Sequence, residues 1–171
     1  MSVLINTTGI VKDSWKIFDG DASGIIAADK CLLPVGELLA QGGVWINHAK
    51  QVGVVLTPVD DPTSLTPYLT RLTLVAIHFT ALTDGRGYSQ ARLLRQRVGY
   101  TGDLRAVGQI GADQVLPLTR CGFTEFELAD EQTAVTALQL ITLHTPAYQS
   151  AVVNTNIVPL PGIDRARALT A

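Results

Sequence analysis

The sequence predicts an α/β protein built from repeated βα units around a small parallel sheet. Three observations predict it. Apolar, β-branched runs without polar alternation recur between residues 52 and 128, a helical pattern follows each run, and short loops join them. Strands covered on both faces read as continuous apolar runs, and strand–helix alternation implies right-handed crossovers between parallel neighbours. Two closures stay open: an open three-layer sheet, or a curl resembling half of a (β/α)8 barrel. Four regular units are too few to close such a barrel.

The elements are expected in this order. Residues 1–30 mix short apolar pieces with turn residues at Asn6 to Gly9, Asp19-Gly20-Asp21 and Ser23-Gly24, an irregular start with room for a hairpin. Residues 31–41 read as a short strand or loop entering a helix that Gly42-Gly43 stops, with 44–47 as an edge strand. The first buried strand is 52–57, and Asp60 or Asp61 is placed to cap a helix over 64–72. A second buried strand, 74–80, leads into the loop from Thr83 to Tyr88; Ser89 then caps a helix over 90–98 that ends on Gly99 in the left-handed region. Residues 104–108 form a third strand, 113–121 a third helix ended by Gly122, 123–128 a fourth strand, and Asp130 caps a last helix reaching 143. Pro117 either sits in the first turn of a later-starting helix or kinks it. We read residues 1–171 as a single α/β domain with a less regular part at 1–50 and a proline-containing tail at 145–171.

Composition narrows the functional classes. The chain has 171 residues, 47% hydrophobic and 16% charged, with mean hydropathy +0.26, which points away from disorder. Its apolar runs are far shorter than the roughly 20 residues of a spanning helix, and the start lacks the pattern of an export signal. A cytoplasmic protein without a membrane role is expected. Cys31 and Cys121 form no CxxC pair, and His48, His78 and His144 are scattered, so neither a metal site nor haem ligation is expected.

Charge is unevenly distributed. Between residues 84 and 120 six arginines (Arg86, Arg92, Arg95, Arg97, Arg105, Arg120) face three aspartates, a net +3, which leaves −5 for the rest of a chain whose total is −2. The overall charge excludes a general nucleic-acid binder. Arginine without lysine suits forked hydrogen bonding to an oxyanion or a carboxylate. The same residues also suit solvated helix faces and internal ion pairs.

In parallel α/β sheets ligands collect at the carboxyl ends of the strands, where the 84–89 loop lies. Gly85 and Gly87 give a ligand access to backbone amides, Arg86 adds a charge, and the helix opening at Ser89 adds its positive end. Arg92 and Arg95 follow on one side of that helix, with Ala91, Leu94 and Val98 as its apolar stripe. Arg105 and Asp113, on the next βα unit, complete the candidate anion- or partner-binding set of Asp84, Gly85, Arg86, Gly87, Tyr88, Ser89, Arg92, Arg95, Arg105 and Asp113. As a nucleotide fingerprint the segment offers Gln90 where glycine or alanine belongs, and Asp103 precedes its strand. The stretch is also not the GxSxG of a nucleophile elbow. Asp60-Asp61 beside Pro62 reads as a turn. No cofactor motif and no catalytic residue emerges.

The run from Asp84 to Arg95 with Gly99-Tyr100, Gly102 to Ala106, Asp113-Gln114 and Arg120 to Phe123, joined more loosely by Leu33-Pro34, Tyr148 to Ala151 and Pro159-Leu160, resembles the bacterial family catalogued as domain of unknown function 934. The resemblance implies a companion of sirohaem sulfite reductase, labelled a probable oxidoreductase of sulfite reduction, with no established catalytic residues to carry over. It implies an accessory protein of assimilatory sulfite reduction whose arginine face meets the haemoprotein subunit. The alternative is a small-molecule enzyme or sensor whose 84–89 loop holds a small oxyanion. The sequence leaves a homo-oligomer open.

Overall fold

A computed structural model describes residues 2–18 and 29–143. The turns expected at Asp19 to Asp21 and Ser23-Gly24, His144 and the whole 145–171 tail lie outside the described residues. Seven strands form one curled, mostly parallel sheet, a half-barrel. They are β1 (Val3–Asn6), β2 (Lys16–Ile17), β3 (Lys30–Pro34), β4 (Gln51–Leu56), β5 (Leu72–Phe79), β6 (Asp103–Gly108) and β7 (Glu125–Leu128). The spatial order is β1-β7-β6-β5-β4-β3-β2, with β1 antiparallel to β7 and the other pairs parallel.

That order decides between the two closures. Consecutive strands from β2 to β7 are neighbours in sequence order, so every crossover steps the same way and, with a constant hand, returns on the same face. The burial agrees. Alternate strand residues such as Leu33, Val54, Ile77 and Ala106 share one core with helix residues Leu38, Leu94, Val115 and Ala134. The opposite, concave face holds a separate cluster of Leu32, Leu74 and Ala76, packed against Trp15, Val55 and Val107. Among the described residues no helix is long and apolar enough to cross a membrane.

Several local expectations are corrected. Helix α1 (Val35–His48) is not stopped by Gly42-Gly43. It bends at Gln41 (φ −134°, ψ 27°) and continues, so 44–47 is helix and not an edge strand. Tertiary packing overrides the glycine pair: Trp45 is buried edge-on against Phe18, ring centroids 5.3 Å apart, and a Cβ on Gly42 would stand 2.7 Å from the Tyr68 ring. The helix expected over 64–72 is a 3-10 segment, Pro62–Tyr68, capped by Asp61, which accepts from the Thr63 N–H at 2.9 Å. Pro67 supplies no N–H and its ring would crowd the carbonyl four residues back, which disfavours α geometry.

Helix α2 (Arg86–Leu93) begins earlier than expected and runs into a π turn, Leu94–Val98, closed by Gly99 at φ 74°. Ser89 therefore lies inside the helix, exposed, and is not its cap. The Asp84 carboxylate instead accepts the Arg86 N–H at 3.1 Å. Helix α3 (Ala112–Arg120) starts after Gly111, whose N–H is taken by the Gln114 side chain at 3.0 Å, so Asp113 is a first-turn residue and not the cap. Pro117 sits at the sixth helical position and leaves the Asp113 carbonyl without its i→i−4 partner. Helix α4 (Glu131–Leu143) is capped as expected: Asp130 accepts from the Thr133 N–H at 2.7 Å.

Candidate functional site

Five of the six arginines of the basic stretch fall into three different environments, and the sixth, Arg120, is half-buried at the end of α3. Arg86 forms a forked pair with Asp84, Nε to Oδ1 at 2.9 Å and Nη2 to Oδ2 at 2.8 Å. Thr80 donates to the same carboxylate at 3.0 Å. The Arg86 guanidinium and its backbone N–H hold the Asp84 carboxyl well below the usual carboxylate range. The donors that the 84–89 loop offers an incoming anion are thus already taken by an internal one.

Arg95 and Arg105 turn inward. The Arg95 guanidinium donates to Gly122 O from Nε at 3.1 Å and Nη2 at 2.8 Å, and from Nη1 to Tyr100 O at 2.8 Å and Gly102 O at 2.7 Å. It joins the end of α2 to the start of β6 and to the end of α3. Arg105 is 2% exposed on the concave face and is paired with Glu125 at 2.8 Å and Asp13 at 2.9 Å. This ties the N-terminal segment across the sheet. Sequence reasoning missed both acidic partners, since 92 residues separate Asp13 from Arg105.

Arg92 and Arg97 stay exposed. Arg86, Ser89, Arg92 and Gln96, all exposed, follow one another along α2 and its π turn at three- to four-residue steps, and Arg97 is the exposed residue next to Gln96. No acidic residue occurs between Arg86 and Val98. The π turn inserts one extra residue per turn locally, which lets Arg95 reach inward while its neighbours Gln96 and Arg97 face solvent.

The glycines divide the same way. Gly85 faces open space, whereas a Cβ on Gly87 would meet the Phe79 ring at 2.5 Å, so Gly87 serves helix–sheet packing and is buried. Tyr88 stacks edge-on against Phe79, centroids 5.7 Å apart, and Phe79 touches Phe123 at 6.0 Å. This chain of rings brings Tyr88 toward the end of α3. There Cys121, half-buried, has its thiol pushed up by burial and drawn down more weakly by the Arg92 and Arg120 guanidiniums. Tyr88 is raised by burial first, then by Cys121 and Asp113. The structure therefore brings Asp84 and Arg86 of the expected set together, packs Tyr88 on Phe79, leaves Arg92 and Asp113 exposed, and turns Arg95 and Arg105 inward to separate partners.

Gln90 explains its own departure from a nucleotide fingerprint. It is buried and donates both amide hydrogens, to Thr57 O and Asp60 O at 2.8 Å each, which fastens α2 to the turn after β4.

No curated protein matches the chain. The model of a family described as bacterial protein of unknown function, DUF934, matches residues 53–158, a span that holds α2, its π turn, α3 and all six arginines. The chain belongs to this bacterial family of unknown function.

Proposed function

We propose that the protein is an accessory protein of assimilatory sulfite reduction that docks on the haemoprotein subunit of a sirohaem sulfite reductase through the outer face of α2. The observation that carries this reading is the exposure of Arg92 and Arg97, which make no salt bridge among the described residues, on a helical stretch without an acidic residue. Arginine is enriched at protein interfaces, and a one-signed face steers an oppositely charged partner. The family resemblance supplies the partner, and the rigid seat of α2 supplies the pre-organisation that lowers the cost of docking. Arg95 has no part in the contact, because its donors are spent on three carbonyls of its own chain.

Tagged protein and purified sulfite reductase haemoprotein test the reading in a pull-down at low salt. Retention that weakens with added salt is expected, along with loss in the Arg92→Glu plus Arg97→Glu variant. Retention of that variant at wild-type level would remove the arginine face from the contact.

A further inference from the structure

Residues 12–15 cross the concave face of the sheet as a strap. Backbone hydrogen bonds pin it at both ends: Val11 N–H donates to Leu4 O and Phe18 N–H to Leu32 O, each at 2.9 Å. Phe18 is further fixed edge-on against Trp45. Between the pins the strap meets the sheet through side chains. Arg105 Nη1, on β6, donates to one Asp13 oxygen at 2.9 Å, and the other oxygen accepts the Trp15 N–H at 3.0 Å. Trp15 lies on the floor of Leu32, Leu74 and Ala76, where a Cβ on Gly53 of β4 would stand 2.9 Å from its ring. Lys30 Nζ is 5.7 Å from the centroid of the same ring. A cavity of about 270 Å³, lined in part by Leu4, Val11, Asp13 and Glu127, lies beside the strap.

We propose that this strap is a latched lid: Asp13 on Arg105 is the latch, and residues 12–15 lift as a unit while the sheet stays folded, baring the floor of Leu32, Leu74 and Ala76. The two partners of Arg105 are unequal in a way that suits a latch. When Asp13 leaves, Glu125 still holds the guanidinium at 2.8 Å, so opening strands no unpaired buried charge. The departing carboxylate is already 44% exposed, and an ion pair so open to water contributes about 1 kcal/mol or less. Trp15 is half-buried, unlike the fully covered residues beneath it. A short segment held by one exposed ion pair and one half-buried ring belongs to the low-stability end of a fold, where parts open separately from the whole. The pins at Val11 and Phe18 act as the hinges.

A thiol on the floor reads the opening. In the full chain carrying Cys121→Ser, Ala76→Cys puts a thiol at a 0% exposed floor position, while Cys31, also 0% exposed, lies in the core shared with the helices and reads global unfolding. With a disulfide reagent the floor thiol is expected to react faster than Cys31. Asp13→Asn accelerates the floor thiol about fivefold, the factor set by a pair worth about 1 kcal/mol. Trp15→Ala, which alters no charge, also accelerates it. Arg95→Met, which loosens the clamp among the helices, accelerates Cys31 and leaves the floor thiol unchanged. Trypsin cleavage after the exposed Lys12 gives the same reading without a new thiol, and is expected to be faster in Trp15→Ala than in wild type. A floor thiol that follows Cys31 in every variant opens only by global unfolding, and that result overturns the proposal. So do an unchanged floor rate in Asp13→Asn and an unchanged cleavage rate in Trp15→Ala.

Discussion

The Arg95 guanidinium grips the Gly122 carbonyl with two of its donors, at 3.1 and 2.8 Å, and this contact joins the π turn of α2 to the end of α3. The geometry is tight. Gly122 has φ 102°, and a Cβ there would stand 2.7 Å from Arg95 Cγ. Replacing Arg95 with Met leaves three partly buried carbonyls to find other donors, at a cost of about 2–4 kcal/mol. Urea unfolding measures it; a loss below about 0.5 kcal/mol, the size of an ordinary surface change, would contradict the clamp.

How much of this was legible in the sequence depends on distance along the chain. The four buried strands, the helices after the last three of them, the left-handed Gly99 and the Asp130 cap follow from local patterns, and each has its place in the structure. The π turn and the bend at Gln41 were not legible, because each is decided by packing between distant residues; the early start of α2 has a local signal, Asp84 two residues before Arg86, which competed with Ser89 for the cap. Trp45 holds α1 through its glycine pair, and Asp84 captures the Arg86 N–H before Ser89 is reached. The candidate site shows the same division. The arginine content of the stretch was plain, but its separation into exposed Arg92 and Arg97, inward Arg95 and buried Arg105 depends on partners such as Gly122, Glu125 and Asp13.

The concave face should be sensitive to the partners of Arg105. Glu125→Ala removes the less exposed of its two carboxylates and is expected to cost about 3 kcal/mol, because a buried charge is left incompletely paired. Asp13 is 44% exposed, and Asp13→Ala is expected to cost about 1 kcal/mol or less. Chemical denaturation ranks the two variants; the opposite ranking would show that Asp13 carries the pair.

Two glycines at the start of α2 should respond differently to alanine. At Gly87 the added methyl meets Phe79 at 2.5 Å. Overpacking there should outweigh the gain in helix propensity and destabilise by about 1–3 kcal/mol. At Gly85 nothing lies within 4 Å of the added Cβ, and the change should stay within about 0.5 kcal/mol. Equal melting temperatures for the two variants would refute the close packing of α2 on β5.

Acid should find Asp84. Its folded-state pKa is depressed, first by the Arg86 guanidinium and then by the Arg86 N–H. Its contribution is therefore fully present above the unfolded value of about 4 and is lost as pH falls below it toward the folded value. Wild type should lose melting temperature more steeply between pH 5 and 2 than Asp84→Asn, which has no carboxyl to protonate. Parallel curves would indicate that the Asp84–Arg86 pair contributes nothing to stability.

The most direct measurement is a calorimetric titration of purified sulfite reductase haemoprotein with wild type, Arg92→Glu plus Arg97→Glu, and Arg95→Met at a temperature where all three are folded. Docking through the outer face of α2 predicts saturable binding by wild type, weakened at least tenfold by the double charge reversal, about 1.4 kcal/mol or more, and largely kept by Arg95→Met. Absence of heat with wild type, or unchanged affinity in the double variant, would contradict it.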